Sequence, residues 1–337
     1  MRWLHLYSQL LAITAFLLIT IGGLVTSTGS GLAVPDWPNT YGYFMFSFPV
    51  SKMVGGIFYE HGHRLIASTV GLLTIGLAVW LSNIEQRFWL RRLGWIAVGV
   101  VITQGVLGGI TVLYLLPAPI SIGHAGLAQI FFALIVSLAI FTSPGWKTQY
   151  RRESFAMNAI SNDMILRRLS VFTVITIYIQ ILIGATMRHT GAGLAIPDFP
   201  LAFGEIIPPI WSTAITIHFA HRMGGIIVTC LVLAIMSLAL AHHRKNLELT
   251  RPAQLMLIVV LVQFMLGAWT VLSERQVSIN TAHVATGSLL FVISVVFVLR
   301  MYRDRFVELK DNPKTSKQTK LFKRSQILKS YNSPGAD

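Results

Sequence analysis

Eight long apolar stretches constrain the fold of this chain more than any other feature of its sequence. A membrane-spanning helix needs about 20 predominantly apolar residues, so a chain with eight such stretches is expected to be an all-α membrane protein. The composition agrees, because 54% of the 337 residues are hydrophobic and 12% are charged, against about 25% charged residues in a typical soluble domain. The predicted spans cover residues 8–27, 61–82, 93–114, 121–142, 169–187, 215–241, 253–273 and 280–300.

The basic residues predict how these helices cross the membrane. The chain carries 27 Lys and Arg against 13 Asp and Glu, a formal net charge of +14. All but five of the basic residues fall in the terminal segments and in the connections on one side of the predicted helices. Because basic loops stay in the cytoplasm, both termini are expected to be cytoplasmic, and the charge gives no reason to expect a nucleic-acid partner. The five on the other side are Lys52, Arg64, Arg188, Arg222 and Arg275.

Three smaller features indicate how the chain is processed, which cysteine chemistry it can have and where it is disordered. The first stretch is predicted to be a retained span, because it lacks a clear A-x-A cleavage site and has an internal counterpart at 169–187. The single cysteine, Cys230, excludes an intramolecular disulfide and a thiolate zinc site, and its apolar neighbours predict a small core residue. The Lys-rich tail, residues 303–337, is expected to be disordered.

The chain contains an internal repeat. The segment TGSGLAVPDWP at 28–38 matches TGAGLAIPDFP at 190–200 at eight of eleven positions, and QGVLGGITVL at 104–113 matches QFMLGAWTVL at 263–272. Each half contains four predicted spans, so both halves should face the same way, related by an axis along the membrane normal. We therefore predict two pseudo-symmetric four-helix bundles side by side. They cover residues 1–145 and 169–302, with a cytoplasmic linker at 146–168.

Two long connections, 28–59 and 188–214, lie on the outer side of the predicted membrane. They are rich in Gly, Pro and aromatic residues and carry few charges, so they are expected to pack on the membrane surface. Asp36 and Asp198 are predicted to cap the turns that they begin. Structural turns and substrate contact are both open as roles for these connections.

Four of the ten histidines occupy corresponding places in the repeat. His63, His124, His221 and His283 each lie about one turn inside the predicted start of a helix that begins on the outer side. Within each half the two histidines should lie at one depth and face each other, which suits axial ligation of a haem iron. A single intramembrane histidine is more often an interhelical hydrogen-bonding group, but two repeated pairs favour haem. A non-haem metal is less favoured, because two histidines leave a site short of ligands.

Polar residues near these histidines have a functional and a structural interpretation. Arg64 and Arg222 directly follow a proposed ligand, and each is a candidate contact for a haem propionate or an arginine that snorkels to the interface. Four further polar residues in helices 3 and 7 are expected to form interhelical hydrogen bonds, and the small residues beside them allow close contact with a helix or a flat macrocycle. These are Gln104, Thr111, Gln263 and Thr270.

Glu60 distinguishes the two halves. It precedes His63 by one helical turn, and the corresponding residue in the second half is His218. A carboxylate beside a haem edge would exchange protons or stabilise developing positive charge. The alternative is a solvated carboxylate that the helix dipole favours. For His218, a hydrogen-bonding role and a redox role are both open.

Taken together, these segments resemble the haem A synthases, a bacterial family related to the mitochondrial COX15 proteins. The resemblance rests on the EHGHR and HFAHR helix starts, the GLAxPDxP loops, the QxxLGxxTVL pair and the later histidines, and it covers about residues 8–300. It implies eight helices in two pseudo-symmetric halves. It also implies an oxidoreductase that converts a methyl group of haem O to a formyl group by successive hydroxylations, for cytochrome oxidase assembly.

The same resemblance implies roles for individual residues. The C-terminal half would hold a haem b cofactor between His221 and His283, and the N-terminal half would take haem O between His63 and His124. Glu60 matches the essential glutamate of the family, and electrons would leave through the b haem. A haem O synthase and cytochrome oxidase assembly factors are the expected partners, in the plasma membrane of a bacterium.

One departure and two alternatives accompany this hypothesis. Many members of the family carry a cysteine pair in the first outer loop, and this chain has none there, which leaves the electron route open. A bis-histidine membrane cytochrome is the first alternative, and the difference between Glu60 and His218 disfavours it. A haem transporter is the second, and it is disfavoured because transporter sites usually lie near the membrane midplane.

Overall fold

The computed structural model describes residues 2–148, 160 and 163–308, and its fold is almost entirely helical. Eight helices of 25 to 31 residues are long and apolar enough to cross a membrane. At 1.5 Å per residue, even the shortest spans about 37 Å, which exceeds the hydrocarbon core of about 30 Å. The predicted all-α membrane fold is confirmed. The helices are α1 Arg2–Ser27, α2 Gly56–Ile84, α3 Phe88–Leu113, α4 Ala118–Thr142, α5 Met164–His189, α6 Thr213–His243, α7 Leu247–Leu272 and α8 Val277–Met301.

All eight helices begin earlier than the apolar stretches that predicted them. For example, α6 begins at Thr213 because the Ser212 side chain accepts a hydrogen bond from the Ile215 N–H at 3.3 Å. The Asn246 side chain likewise caps α7 by accepting from the Glu248 N–H at 3.0 Å. Such N-caps satisfy backbone donors at positions where the sequence is already polar. Hydropathy therefore marks the membrane core of each helix and misses its first turns.

Within each half, the four helices contact one another in ring order. In the first half α1 packs on α2, α2 on α3, α3 on α4 and α4 on α1, and the second half repeats this order from α5 to α8. The pairs α2/α4 and α6/α8 are consequently diagonal. Each diagonal pair carries the two histidines of its half.

The two halves pack side by side through α1, α4, α5 and α8. Helix α1 contacts α8, and α4 contacts both α5 and α8. Gln129 of α4 donates to the Ser288 hydroxyl of α8 at 2.9 Å in the buried interface. At the outer end, the Arg188 guanidinium of α5 donates to the Gly23 carbonyl and the Ser27 hydroxyl of α1, both at 2.8 Å. The symmetry of the bundles as wholes, and the proposed division at 145 and 169, stay predictions.

Two expectations about peripheral residues do not hold. Cys230 is exposed on α6, so its assignment to the core is wrong. A lipid-facing helix surface is as apolar as a core, and the neighbours of Cys230 could not distinguish them. The tail begins with a short helix, Arg303–Glu308, in which Asp304 binds Arg167 at 3.0 Å, so the expectation of disorder is wrong for these six residues. The remainder of the tail and most of the linker 146–168 lie outside the described residues.

Candidate functional site

The four candidate histidines lie deeper than their sequence context predicted. His63 and His221 come seven and eight residues after the first residue of α2 and α6, and His124 and His283 come six residues after the start of α4 and α8. At 3.6 residues per turn this is about two turns, and the expectation of one turn is wrong. The error follows from the early helix starts. The histidines thus lie well within the membrane-spanning helices.

Each of these histidines packs against a glycine of the preceding helix. A Cβ atom added at Gly22 of α1 would lie 3.1 Å from the His63 Cε1 atom, closer than ordinary van der Waals contact. The glycine therefore lets the imidazole edge lie directly on the neighbouring helix backbone. The small residues of helices 3 and 7 thus accommodate imidazole rings. The corresponding distances are 3.1 Å for Gly108 and His124, 2.9 Å for Gly184 and His221, and 3.0 Å for Gly267 and His283.

In the second half, the two imidazoles face each other across the bundle. The ring centroids of His221 and His283 are 6.3 Å apart, with an angle of 76° between the ring planes. A metal bound by an imidazole nitrogen at about 2 Å lies about 3 Å from the ring centroid, so two ligands on opposite sides of one metal place their centroids about 6 Å apart. The observed separation fits a haem iron between the two rings. No cluster of three or more His, Cys, Asp or Glu that could hold a metal ion occurs in the part of the chain that the structure describes.

Glu60 holds the first outer loop in place. It is 4% exposed, so it is not the solvated carboxylate of the alternative interpretation. Its Oε2 atom accepts a hydrogen bond from the Val34 N–H at 2.7 Å, and its Oε1 atom lies 2.6 Å from Nη2 of Arg64. The negative charge is therefore paired and hydrogen-bonded within a mostly apolar region, as a buried carboxylate requires.

Arg64 binds the same loop through its backbone. Its Nη1 atom donates to the carbonyl oxygens of Asp36 at 2.7 Å and Asn39 at 3.0 Å, and its Nη2 atom donates to the carbonyl of Val34 at 2.8 Å. Together with Glu60, these acceptors use all four Nη hydrogens. A propionate contact stays an untested prediction for Arg64, and the observed contacts give this residue a loop-binding role.

The second half repeats this arrangement with a different residue at the position of Glu60. The Ile196 N–H donates to Nδ1 of His218 at 3.2 Å, as the Val34 N–H donates to Glu60. An Nδ1 atom that accepts a hydrogen bond carries no proton, so His218 is the neutral Nε2–H tautomer in this arrangement. Sequence reasoning left the role of His218 open, and the structure gives it a loop contact.

Arg222 takes the place of Arg64 in the second half. It donates to the carbonyl oxygens of Leu201 at 2.8 Å, Ile196 at 3.1 Å and Asp198 at 2.6 Å. Its predicted propionate contact also stays untested. The repeated EHGHR and HFAHR motifs therefore encode a common way of binding an outer loop to the helix that carries a candidate ligand.

The aspartates of the two loops cap the turns, as predicted. Asp36 accepts the N–H groups of Tyr41 and Gly42, both at 2.8 Å. Burial would raise the pKa of Asp36, but these hydrogen bonds and Arg64 lower it below its ordinary value. The confirmed capping favours the structural interpretation of these segments.

Other polar residues meet some expectations and not others. Gln104 donates across helices to the His124 carbonyl at 2.9 Å, and the Gln263 amide nitrogen lies 3.4 Å from Nε2 of His283. The two threonines form no interhelical bond among the described contacts, since Thr111 donates to Gly108 and Thr270 to Leu266, each in its own helix.

Sequence reasoning missed two residues near the candidate ligands. His61 is 1% exposed, lies 3.0 Å through Nδ1 from the Thr40 hydroxyl, and packs on the Phe48 ring at 4.9 Å. The Gln180 amide nitrogen contacts His221 at two atoms, the carbonyl oxygen at 2.7 Å and Nδ1 at 3.1 Å. A comparison of Gln180 with its counterpart in the repeat, Leu18, could have identified it.

Comparisons with known proteins agree with this arrangement. The sequence model of a family described as cytochrome oxidase assembly protein matches residues 5–295. A haem A synthase from Alkalihalophilus pseudofirmus is 30% identical over 86% of this chain and 94% of its own length. The haem A synthase of Shouchella clausii is 29% identical with the same coverage, and that of Symbiobacterium thermophilum is 29% identical over 77% of this chain and 83% of its own length.

Proposed function

This chain belongs to the COX15-CtaA family of cytochrome oxidase assembly proteins, and we propose that it acts as a haem A synthase. The substrate is haem O, and the product serves haem A biosynthesis. The single observation that carries the assignment is the repeated site, in which four histidines on α2, α4, α6 and α8 lie against four glycines of neighbouring helices. In one half, moreover, the two rings are spaced for a haem iron.

The proposed reaction oxidises a methyl group on the haem O periphery to a formyl group. Two successive hydroxylations give first an alcohol and then a hydrated aldehyde, which loses water. When each oxygen comes from water, each hydroxylation releases two electrons and two protons. The protein must therefore bind haem O in a fixed orientation, provide a route for electrons and accept protons near the reacting carbon.

The two halves divide these tasks. His63 and His124 would bind the iron of haem O, and their glycine contacts fix the ring positions at the outer end of the first bundle. His221 and His283 would hold haem b, whose chemistry when bound is reversible one-electron transfer. The buried contact of Gln129 with Ser288 and the packing of α4 on α8 keep the two bundles in fixed register.

Glu60 is the proposed proton-exchanging group. Its carboxyl group lies one helical turn before His63, and its two oxygens accept hydrogen bonds from the Val34 N–H and from Arg64. Each carboxylate oxygen has a second lone pair, so it can accept a further proton or stabilise positive charge without losing its present partners. Arg64 limits the cost of keeping this charge in an apolar setting.

The setting of the reaction follows from the fold and the relatives. The eight apolar helices place the protein in a membrane, and we propose that this is a bacterial plasma membrane with both chain termini in the cytoplasm. The candidate sites then lie toward the outer surface. A haem O synthase would supply the substrate, and cytochrome oxidase assembly factors would receive the product.

Two substitutions of Glu60 test its role against its loop contact. Glu60→His reproduces the second half, where His218 accepts the corresponding loop N–H, whereas Glu60→Gln keeps the shape of the side chain. We expect both variants to bind haem and to reduce haem A formation by about 100-fold or more, the loss typical of a missing acid–base group. Pigments extracted from cells that make haem O and lack their own synthase measure this directly.

If Glu60→His formed as much haem A as the wild type, a role for the carboxylate in the reaction would be contradicted, because this variant keeps only the loop contact. Loss of bound haem together with loss of product would show instead that Glu60 is needed for folding of the site. The spectrum of the b haem in each purified variant separates these results.

A further inference from the structure

An arginine at the outer end of α5 joins the two halves through neutral partners. The Nη2 atom of Arg188 donates to the Gly23 carbonyl oxygen and the Ser27 hydroxyl of α1, both at 2.8 Å. Within the described part of the chain, no Asp or Glu forms an ion pair with Arg188. An arginine in a protein keeps its proton, so this half-buried side chain carries a positive charge that no carboxylate balances.

This charge lies close to the candidate haem site of the second half. Gly184, one turn earlier on α5, is the glycine against which the His221 ring packs. The hydroxyl that accepts from the arginine also accepts from Thr281 of α8 at 3.2 Å, two residues before His283. The Arg188 charge acts electrostatically on the His283 ring. The neighbouring helices thus place the charge about one turn outward of the two candidate ligands.

The first half lacks this charge at the corresponding position. The repeat places Thr26 opposite Arg188, and the threonine hydroxyl donates to a carbonyl oxygen of its own helix at 2.9 Å. The loop contacts differ with the same sign, since Glu60 forms an ion pair with Arg64 in the first half, whereas the neutral His218 takes the place of Glu60 in the second. Both differences make the surroundings of the second site more positive.

A second outer arginine of the same half is much more exposed to water. Arg275 takes the place of Leu116 in the turn between α7 and α8. Its side chain is exposed and directly follows the exposed Glu274, so water, salt and a neighbouring opposite charge screen it. Arg188 is therefore the stronger source of positive potential at the second site, and Arg275 offers a matched control.

We propose that Arg188 raises the reduction potential of the haem that His221 and His283 would hold. This inference rests on the proposed function, in which the second half accepts electrons released in the first. A nearby positive charge stabilises the reduced haem, because reduction adds an electron. One unit charge at about 10 Å, with an effective dielectric constant of about 20, changes the equilibrium constant for reduction by about 10-fold. A higher potential makes the second half a better electron acceptor.

Redox titration of the purified full-length protein, followed by the absorption of haem b, tests this inference. Arg188→Gln removes the charge and keeps an amide that can donate to α1. We expect the equilibrium constant for reduction to fall about 10-fold, which is a decrease of about 59 mV for a one-electron couple. Arg188→Lys keeps the charge, so its potential should stay close to that of the wild type.

Two controls separate the charge from other causes of a shift. Arg275→Leu removes an exposed arginine charge and introduces the residue of the first half, and we expect it to shift the potential by less than a third as much as Arg188→Gln. The g values of the low-spin haem in the electron paramagnetic resonance spectrum report the orientation of the axial rings. They should equal the wild-type values in every variant. A shift that came with changed g values would assign it to displaced ligands and overturn the electrostatic role.

A substitution on α1 tests the same charge while keeping the arginine. Ser27→Asp places a carboxylate where the hydroxyl accepts from Arg188, and the new ion pair would balance the charge. We expect the potential to decrease about as much as in Arg188→Gln, whereas the uncharged Ser27→Asn should leave it nearly unchanged. This comparison remains decisive where Arg188→Gln yields too little folded protein to measure.

The outcomes distinguish this inference from the proposed function. A wild-type protein without haem b would contradict the proposed function itself. A wild type that holds haem b, together with an unchanged potential in Arg188→Gln, would overturn the role of Arg188 alone. Equal decreases in Arg188→Gln and Arg188→Lys would also overturn it, because lysine keeps the charge.

Discussion

At the residue scale, a glycine opposite each imidazole sets the position of the candidate ligand. The distance from an added Cβ to the imidazole Cε1 atom is 2.9 to 3.1 Å at all four places. One methyl group would therefore displace a ring by several tenths of an ångström or tilt the helix that carries it. Ligand geometry at a metal must hold within about 0.5 Å, so these glycines are part of the site.

Helix α3 offers a matched pair of substitutions for this point. Gly108→Ala would press on the His124 ring, whereas Gly105→Ala, one turn earlier, would meet no atom within 4 Å. We expect Gly108→Ala to weaken binding of haem O about 10-fold or more and Gly105→Ala to leave it unchanged. Titration of each purified variant with haem O, followed by absorption, measures the difference. Equal affinities in the two variants would show that the glycine contact does not position the ligand.

The sequence predicted which residues form the candidate site, but it predicted few of the contacts that these residues make. His63 stands out because the repeat places a histidine at the corresponding position of the second half, and Glu60 because it is an acidic residue where the second half has His218. The bond from Val34 to Glu60 joins residues 26 positions apart through an irregular loop. No periodic pattern encodes the path of such a loop, so the role of Arg64 in binding it could not be predicted.

At the element scale, the outer loops are structural parts of the two sites. Each loop is closed by an aspartate that caps its turn and by an arginine from the ligand-bearing helix that binds its carbonyl groups. Two side chains therefore hold each loop, the aspartate that caps its turn and the arginine of the ligand-bearing helix. This explains how segments with little regular structure keep one conformation above the bundles.

The second loop should respond to acid in a predictable direction. The N–H of Gly204 and the N–H of Phe203, both 2.8 Å from the Asp198 carboxylate, lower the pKa of Asp198 below its ordinary value of 3.8. A lowered pKa in the folded state contributes stability above the unfolded pKa, and this contribution is lost as the pH falls through the folded value. We expect hydrogen exchange at Phe203 and Gly204 to be protected at neutral pH and to lose protection in acid.

Asp198→Asn is the control for this acid response. An amide side chain offers one acceptor oxygen in place of two and does not titrate in this range. Exchange at the same two backbone groups should then be faster at neutral pH and show no acid transition. An acid transition that persists in Asp198→Asn would assign it to another group.

The helices themselves were predictable, and their ends were less so. Apolar stretches of about 20 residues identified all eight helices. The caps at Ser212 and Asn246 begin α6 and α7 before the predicted apolar stretches at 215 and 253. A cap depends on a single side-chain bond, which hydropathy does not detect.

At the scale of the whole molecule, the two halves form one continuous structure. Residues of α1, α4, α5 and α8 share one buried core, and Arg188 joins the outer ends of α1 and α5. The repeat predicted two similar bundles, and it could not predict which helices join them, because lipid-facing and partner-facing surfaces are equally apolar. A fixed distance between the bundles is what electron transfer between two bound haems would require.

The pigments bound to the purified wild-type protein distinguish a haem A synthase from a cytochrome or a protein that binds no haem. The protein should be produced in cells that make haem O, purified intact, and extracted for chromatography and mass measurement. We expect about one haem b per chain together with haem O, its alcohol derivative or haem A. Haem b alone at two equivalents per chain would support an electron-transfer cytochrome and exclude haem A synthesis by this protein, and a protein without any haem would refute the haem sites altogether.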